Sequence, residues 1–447
     1  MSRTYQGLPL PAHKQHSRDV AIVIASAPDV LVLPLNQQGA SLSAGLSDGE
    51  LTPCVAVNDH VNMGQTIALP GTSPSTSLGA CLHSPVSGTV LAIEACPTAL
   101  GDQTLLIVIG NDHLDTRDPS LHPVGNWQTR SPIELCKLLA LGGIVGLGGA
   151  VFPTATKLAA HQQHSIGTLL INGVECEPYI SCDDRLMRER AALILSGAQI
   201  LLHAAQAQTC VIAIEADKPE AIAAMQNAVQ ALADTRFTVH TLPTAYPGGD
   251  EGQLITQLLQ REIPRGGLPA QIGVIVQNVA TAYACAQWVL HAEPLISRIV
   301  TLTGPGIPQA INAEVRLGTS MYELIRAYGS AVSIEASVIM GGAMMGRSVS
   351  NAAAPIVKAS NCLIVAAAPI KPTSVEMPCI RCGECAHACP ANLLPQQLLM
   401  YARKDHRAAL QELGLFDCIE CGCCDYVCPS NIPLVTHFRV AKRALTT

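Results

Sequence analysis

Pro378-Cys-Ile-Arg-Cys-Gly-Glu-Cys-Ala-His-Ala-Cys-Pro390 and Phe416-Asp-Cys-Ile-Glu-Cys-Gly-Cys-Cys-Asp-Tyr-Val-Cys-Pro429 repeat one pattern near the end of the chain. The first reads Cys379-x2-Cys382-x2-Cys385-x3-Cys389-Pro390, the second Cys418-x2-Cys421-x2-Cys424-x3-Cys428-Pro429. An iron–sulfur cubane needs four thiolates converging from several directions. Three cysteines at two-residue gaps supply part of that shell, and the fourth, at a helix start, ligates the other cluster. The spacing therefore predicts two [4Fe-4S] clusters, one on Cys379, Cys382, Cys385 and Cys428, the other on Cys418, Cys421, Cys424 and Cys389. The prolines stop regular backbone from continuing past the fourth ligand. Zinc sites use CxxC pairs set well apart, a poorer match to this spacing. Cys423 is read as a spare thiol, and the scattered cysteines elsewhere as small core residues. Clusters of this kind carry single electrons, so electron transfer is expected.

Outward from this region, composition sets limits. The 447 residues exceed one ordinary core, and about three domains are expected. Charged residues make up 14% and apolar types 49%, which favours large buried interfaces and a subunit of a complex. A net charge of −7 without a basic block, together with 3% aromatic residues, argues against nucleic acid as a partner. Residues 1–19 lack the layout of a secretory signal. The longest apolar stretches, 138–152 and 352–370, are broken by glycines and by Pro355 and Lys358, so no spanning helix is expected. A soluble or peripheral chain with reduced thiols follows, in which clustered cysteines signify metal and not disulfides.

Residues 30–110 alternate β-rich runs (30–35, 54–57, 65–69, 88–93, 104–109) with Gly, Pro and Asp turns, as in a small all-β module. Strand-like runs at 167–171, 210–215, 237–242 and 272–277 then alternate with helical stretches at 184–203, 218–234 and 252–260. That rhythm predicts an α/β domain with a largely parallel sheet. Residues 297–346 are a short β-rich segment holding one helix, 321–328. Residues 393–414, between the cysteine motifs, read as one helix with Leu394, Leu398, Leu399, Ala402 and Leu410 apolar.

Gly142-Gly-Ile-Val-Gly146-Leu-Gly148-Gly149-Ala-Val-Phe152-Pro153-Thr154-x-x-Lys157 sets five glycines within eight residues ahead of a lysine. Exposed N–H groups of such a loop wrap a phosphate, and the lysine adds charge; tight packing alone would also explain the glycines. Other segments weigh toward a ligand. Asn172-Gly-Val-Glu175-Cys-Glu177-Pro178-Tyr179 follows a predicted strand, where α/β sheets place ligands. Tyr246-Pro-Gly248-Gly249-Asp250-Glu251 and Gln277-Asn278-Val-Ala-Thr281 also sit at a turn or strand end. Acidic groups near a phosphate loop suit a flavin or a nicotinamide ribose, whose hydroxyls need acceptors.

Two resemblances emerge from these residues. Val57-Asn-Asp-His-Val61-Asn-Met-Gly64-Gln65 and His83-Ser-Pro85-Val86-Ser-Gly88-Thr-Val90 resemble the halves of a lipoyl/biotinyl-type barrel-sandwich domain. The modifiable lysine of that family has no counterpart on the turn between them, which points to a structural module. The glycine loop, the Asn172–Tyr179 phrase and the cysteine motifs, in order over nearly the whole chain, resemble the C subunit of the Rnf complex, a membrane-bound ferredoxin:NAD oxidoreductase. The α/β portion is similar to the NADH-binding flavoprotein subunit of respiratory complex I, where FMN is held by the corresponding segments.

The resemblance implies a multidomain α/β and α+β protein: an N-terminal segment (1–29), a barrel-sandwich hybrid module (30–115) and an FMN/NADH-binding α/β domain (130–295). A β-grasp soluble-ligand-binding domain (296–350), a linker (351–375) and a helical double [4Fe-4S] ferredoxin-like domain (376–447) follow. It implies that Gly146, Gly148, Gly149 and Lys157 hold the FMN phosphate. Asn172, Glu175, Tyr246, Gly249, Asp250, Glu251, Gln277, Asn278 and Thr281 would line the flavin, and Glu177 would lie toward the nicotinamide as the catalytic residue. The implied partners are NADH/NAD+, other Rnf subunits, especially an iron–sulfur subunit, and ferredoxin indirectly. The implied place is the cytoplasmic face of the inner membrane, peripheral and without a transmembrane helix, in a complex that couples electron flow to ion translocation.

This chain departs from the complex I relative at Leu147, where that loop has arginine, at Val151, where it has glycine, and at Val174, where a carboxylate is lost. These changes bear on individual flavin and NADH contacts. Two rival readings are a cobalamin reductase of microcompartments, which shares the domain types, and a relay or scaffold subunit that keeps the clusters without flavin.

Overall fold

Alternating apolar residues in the first strands close a two-sheet barrel sandwich. The computed structural model describes residues 7–37, 51–71, 79–97, 103–329, 337–349, 351, 353–367 and 375–446. The early strands are β1 (Val23–Ile24), β2 (Val30–Pro34), β3 (Leu51–Pro53), β4 (His60–Val61), β5 (Thr66–Pro70), β6 (Leu82–His83), β7 (Gly88–Pro97) and β8 (Gln103–Asn111). One antiparallel sheet runs β2-β8-β7-β4, the other β3-β5-β6. Leu31, Leu33, Ile107 and Ile109 point inward and are fully buried. Residues 54–57, expected as a strand, instead form a turn. The Asp59 carboxylate accepts from Ala56 N at 2.8 Å, and Asn58 takes a left-handed φ of 75°, local chemistry that outcompetes the ladder.

The α/β domain is a four-stranded parallel sheet in the order β11-β10-β9-β12, formed by β9 (Thr168–Gly173), β10 (Thr209–Glu215), β11 (Phe237–Leu242) and β12 (Val274–Asn278). Its helices are α1 (Pro132–Leu141), α2 (Thr154–Leu158), α3 (Cys182–Ala204), α4 (Pro219–Leu232), α5 (Glu251–Leu259) and α6 (Val279–His291). Leu169, Ile171 and Ile275 enter the core beneath α3 and α6; Leu170, Val274 and Val276 enter a second core beneath α5. The chain steps outward from β9 to β11, then returns to place β12 on the other side of β9. The strand order therefore reverses between β9 and β12, where an open sheet leaves a crevice at its carboxyl edge.

The next unit is larger than the expected 296–350. β13 (Ser297–Thr303), β14 (Ile311–Arg316), β15 (Val338–Met340) and β16 (Arg347–Ser348) share a six-stranded mixed sheet with β1 and with β17 (Cys362–Val365), in the order β1-β14-β13-β17-β15-β16. The helix α7 (Met321–Tyr328) packs its apolar side into the same core. The expected linker 351–375 thus contains an interior strand. All four residues of β17 are buried, and a short continuous apolar run is the mark of a strand covered on both faces. The N-terminal segment is likewise built in, since β1 pairs with β14 and Leu8 bridges Tyr246.

The cluster region is helical: α8 (Glu384–His387), α9 (Pro395–Ala402), α10 (Arg407–Glu412), α11 (Cys423–Tyr426) and α12 (Leu434–Thr446). The single helix expected over 393–414 is two. Asp405 takes φ 48°, and the His406 ring accepts from Ala409 N to start the second helix. Leu398, Leu410, Leu415 and Phe438 form its core.

The helix α3 approaches α6 closely at Gly197. A Cβ placed on Gly197 would lie 1.7 Å from the carbonyl oxygen of Ala282. Gly197→Ala should therefore part the helices and lower unfolding free energy by about 1–3 kcal/mol or more, read from urea denaturation; an unchanged midpoint would contradict this contact.

Candidate functional site

The crevice between β9 and β12 gathers most of the predicted ligand residues. Asn172, at the end of β9, donates to Gly249 O at 2.9 Å and accepts from Val174 N at 3.1 Å. Asn278, at the end of β12, starts α6 by accepting from Ala280 N at 2.8 Å. Its amide donates to Asp183 Oδ2 at 2.6 Å. Gly148 lies against the Asn278 side chain. Nearby, Gln277 Nε2 is buried and lacks a partner among the described residues.

The glycine loop leaves α1 and crosses the mouth of this crevice. Gly146 N donates to Phe152 O at 2.8 Å, Val151 N returns to Gly146 O at 3.1 Å, and Leu147 N donates to Thr281 Oγ1 at 2.9 Å. Among the described residues the next three amides, of Gly148, Gly149 and Ala150, have no hydrogen-bond partner, and Gly149 has φ 116°. Val151 sits at φ 55°, a left-handed conformation that is costly for a β-branched residue; the complex I relative has glycine here. Val174, where that relative has a carboxylate, is fully buried in the α5 core. Three successive free amides and an orphaned buried amide donor suit the phosphate and the polar ring edge of a flavin nucleotide.

Several predicted residues are engaged within the protein. Glu175 accepts from Asp183 N at 2.6 Å and Asp184 N at 3.2 Å, closing the start of α3. Lys14 donates to the Glu175 carbonyl. Glu177 accepts from Met345 N at 2.9 Å and Met344 N at 3.1 Å. Thr281 is buried beneath Leu147. Asp250 starts α5 by accepting from Gly252 N and Gln253 N. Lys157 pairs with Glu251, both part-exposed. Sequence reasoning missed Lys14, Lys218 and Arg298. Lys218 is fully buried and donates to Glu215 at 3.0 Å and Asp217 at 2.9 Å, which fixes the end of β10 beside the crevice.

The two cysteine motifs fold alike. Arg381 and Glu420 (φ 59° and 57°), Gly383 and Gly422 (85° and 78°), and Asn392 and Asn431 (54° and 50°) take matching left-handed positions. Cys389, Cys418, Cys421 and Cys424 line one small cavity, capped by Leu398 and Phe438. Cys389 is thus brought to the second motif's triplet. Cys385 lies near Cys382 and Cys428. Burial pushes the Cys418 thiol up to about 11; four thiols gathered at one small cavity become thiolates only beside a cation, which iron would supply. Cys379 and Cys382 are exposed, while Cys421, Cys423 and Cys424 are buried.

The crevice and the cysteine loops touch. Tyr246 Oη donates to Cys421 O at 2.6 Å, Gln253 Nε2 donates to Pro390 O at 3.0 Å, and Cys176, Met344 and Cys423 pack around Tyr246.

Three family models match this arrangement: the RnfC barrel sandwich hybrid domain over residues 3–114, the Nuo51 FMN-binding domain over 140–287 and the 4Fe-4S dicluster domain over 377–432. The chain is 46% identical to the C subunit of the ion-translocating oxidoreductase complex of Pseudomonas aeruginosa, over 98% of this chain and 55% of that protein. It is 39% identical to the protein of the same name in Rhodobacter capsulatus, over 98% of this chain and 82% of that protein. The chain spans 55–60% of the length of the Pseudomonas and Serratia relatives. The NAD+-reducing [NiFe]-hydrogenase in the H2-reduced state shares the fold, with TM-score 0.51 and 18% identity over 74% of this chain and 67% of that one.

Burial raises the Glu175 carboxyl to about 7 from 4.5. The folded chain then keeps a proton that the unfolded chain has lost, so this contribution to stability is complete below about pH 4.5 and gone above about pH 7. Between pH 5 and 8 the thermal midpoint of the parent should fall more steeply than that of Glu175→Gln; parallel profiles would contradict the protonated, buried state.

Proposed function

Because the chain belongs to the family formed by the C subunits of ion-translocating oxidoreductase complexes, we propose that it exchanges electrons between NADH/NAD+ and ferredoxin through FMN and two [4Fe-4S] clusters. It would act as the NAD(H)-interacting subunit of a membrane complex that couples this flow to ion translocation. The observation that carries the reading is the Tyr246 hydroxyl on the carbonyl of Cys421 at 2.6 Å, which holds a cluster-ligand loop against the flavin-side turn. Held in that crevice, FMN would supply the conversion between two-electron hydride exchange and one-electron carriers.

On this reading the amides of Gly148, Gly149 and Ala150 receive the phosphate, with Gly146 shaping the loop and Lys157 turning from Glu251 toward the added charge. Asn172, Gly249, Gln277 and Asn278 line the ring. Glu175, Asp250 and Thr281 fix the walls through backbone hydrogen bonds, and Glu177 ties the nicotinamide side to the Met344 turn. Cys389, Cys418, Cys421 and Cys424 hold the inner cluster, nearest the flavin. Cys379, Cys382, Cys385 and Cys428 hold the outer one, whose exposed Cys379 and Cys382 suit hand-over to an iron–sulfur subunit. No helix among the described residues is long and apolar enough to cross a membrane, consistent with peripheral attachment, which we place at the cytoplasmic face of the inner membrane.

Anaerobically purified full chain should bleach its flavin and give reduced-cluster EPR signals on NADH addition. Cys389→Ser should remove the inner cluster, although it lies in the first motif, and abolish NADH-driven reduction of the outer one. Cys428→Ser should leave the inner cluster reducible. A chain loaded with flavin and iron in which NADH changes neither spectrum would defeat the reading.

A further inference from the structure

The glycine loop is held from within the protein up to Leu147, and its amides are free only beyond that point among the described residues. Six consecutive carbonyls are occupied from within the protein. Gly142 O accepts from Leu295 N at 3.0 Å, Ile144 O from Thr154 N at 3.2 Å, and Gly146 O from Val151 N at 3.1 Å. Val145 O accepts from Thr281 Oγ1 at 3.4 Å. The other two are taken by buried cations: Gly143 O by Lys358 Nζ at 2.8 Å, and Leu147 O by Arg298 Nη2 at 3.1 Å. The three amides that follow are free among the described residues.

Neither cation is placed as stability alone would place it. Lys358 is 1% exposed and its ammonium donates only to carbonyls, its second partner being Cys81 O of the barrel at 3.0 Å. Burial holds its ammonium down at about 7. Arg298 lies just behind the loop with Nε lacking a partner among the described residues, and its other amine donates to Lys358 O. A buried cation without a contacting carboxylate is unfavourable in isolation. The barrel completes the brace, since Gln37 accepts from Lys358 N at 3.1 Å and Cys81 N donates to Ala140 O at 3.1 Å. Gly143, at φ 70°, leaves no room for a side chain, because a Cβ there would meet Cys81 O at 2.5 Å.

We propose that Lys358 and Arg298 are positioning residues for the flavin phosphate: they draw the loop carbonyls back against the barrel sandwich so that the Gly148, Gly149 and Ala150 amides face the anion. This rests on the reading of the crevice as an FMN site. The barrel sandwich, which lacks a modifiable lysine, thereby serves as the fixed abutment of the cofactor loop.

The test compares FMN with riboflavin, which lacks the phosphate, by fluorescence titration of full chain stripped of flavin, with iron content and circular dichroism as checks on folding. The parent should prefer FMN. Lys358→Met and Arg298→Lys should each narrow that preference by about tenfold or more, with riboflavin affinity within about threefold of the parent; a merely structural defect would weaken both flavins alike. If Lys358→Met fails to fold, Arg298→Lys decides, because it keeps the charge and loses the fork that reaches both carbonyls. A parent that prefers FMN, with folded variants that keep the preference, overturns this proposal alone. A parent that binds neither flavin overturns the functional reading with it.

Discussion

The buried phenol of Tyr246, on the backbone of Cys421, is the contact on which the join between the crevice and the cysteine loops depends. One end of the tyrosine belongs to the turn that opens α5; the other touches Cys421, a proposed cluster ligand. Burial pushes its hydroxyl well above the ordinary tyrosine range, so it remains a donor at any working pH. Gln253 on Pro390 and Glu177 on the Met344 turn brace the same seam. Single-electron transfer falls off steeply with distance, and a cluster domain swinging on a free linker would spend most of its time out of reach. Here the ligand loop is part of the crevice wall.

A second constraint shapes the crevice itself. Every buried carbonyl and amide needs a partner, and the glycine loop meets this unevenly: its carbonyls are bound from behind by Leu295, Thr281, Lys358 and Arg298, while three amides are left facing outward. A loop with both sets satisfied would have no use for an anion, and one with neither would not hold its shape. The barrel sandwich, the mixed sheet and the α/β domain each contribute to that backing.

Much of this was legible in the sequence. The cysteine spacing predicted crossed ligand sets, and the fold brings Cys389 to the same small cavity as Cys418, Cys421 and Cys424. The four strands and α3, α4 and α5 of the α/β domain followed from the alternating pattern, α5 within a residue, while α1, α2 and α6 were not among the expected helices. What failed was tertiary. The run containing β17 fell in the linker that the resemblance implied, and Lys358 entered only as a break in an apolar stretch, yet Lys358 is the side chain that reaches the glycine loop. Glu175, Glu177 and Thr281 were placed toward the cofactor by resemblance; in the fold their polar atoms serve backbone groups, which no local pattern reveals. Lys14 and Arg298 carried no signal at all, since a lone cation gains meaning only from the carbonyls that surround it.

On the proposed function, electrons pass within one polypeptide, across the seam at Tyr246. Rapid mixing of NADH with the anaerobic full chain, following flavin and iron–sulfur absorbance together, tests this most directly. Flavin bleaching should come first, and cluster reduction should follow at a rate independent of protein concentration. Cluster reduction that scales with protein concentration, or that is absent while flavin bleaches, would contradict transfer across that contact.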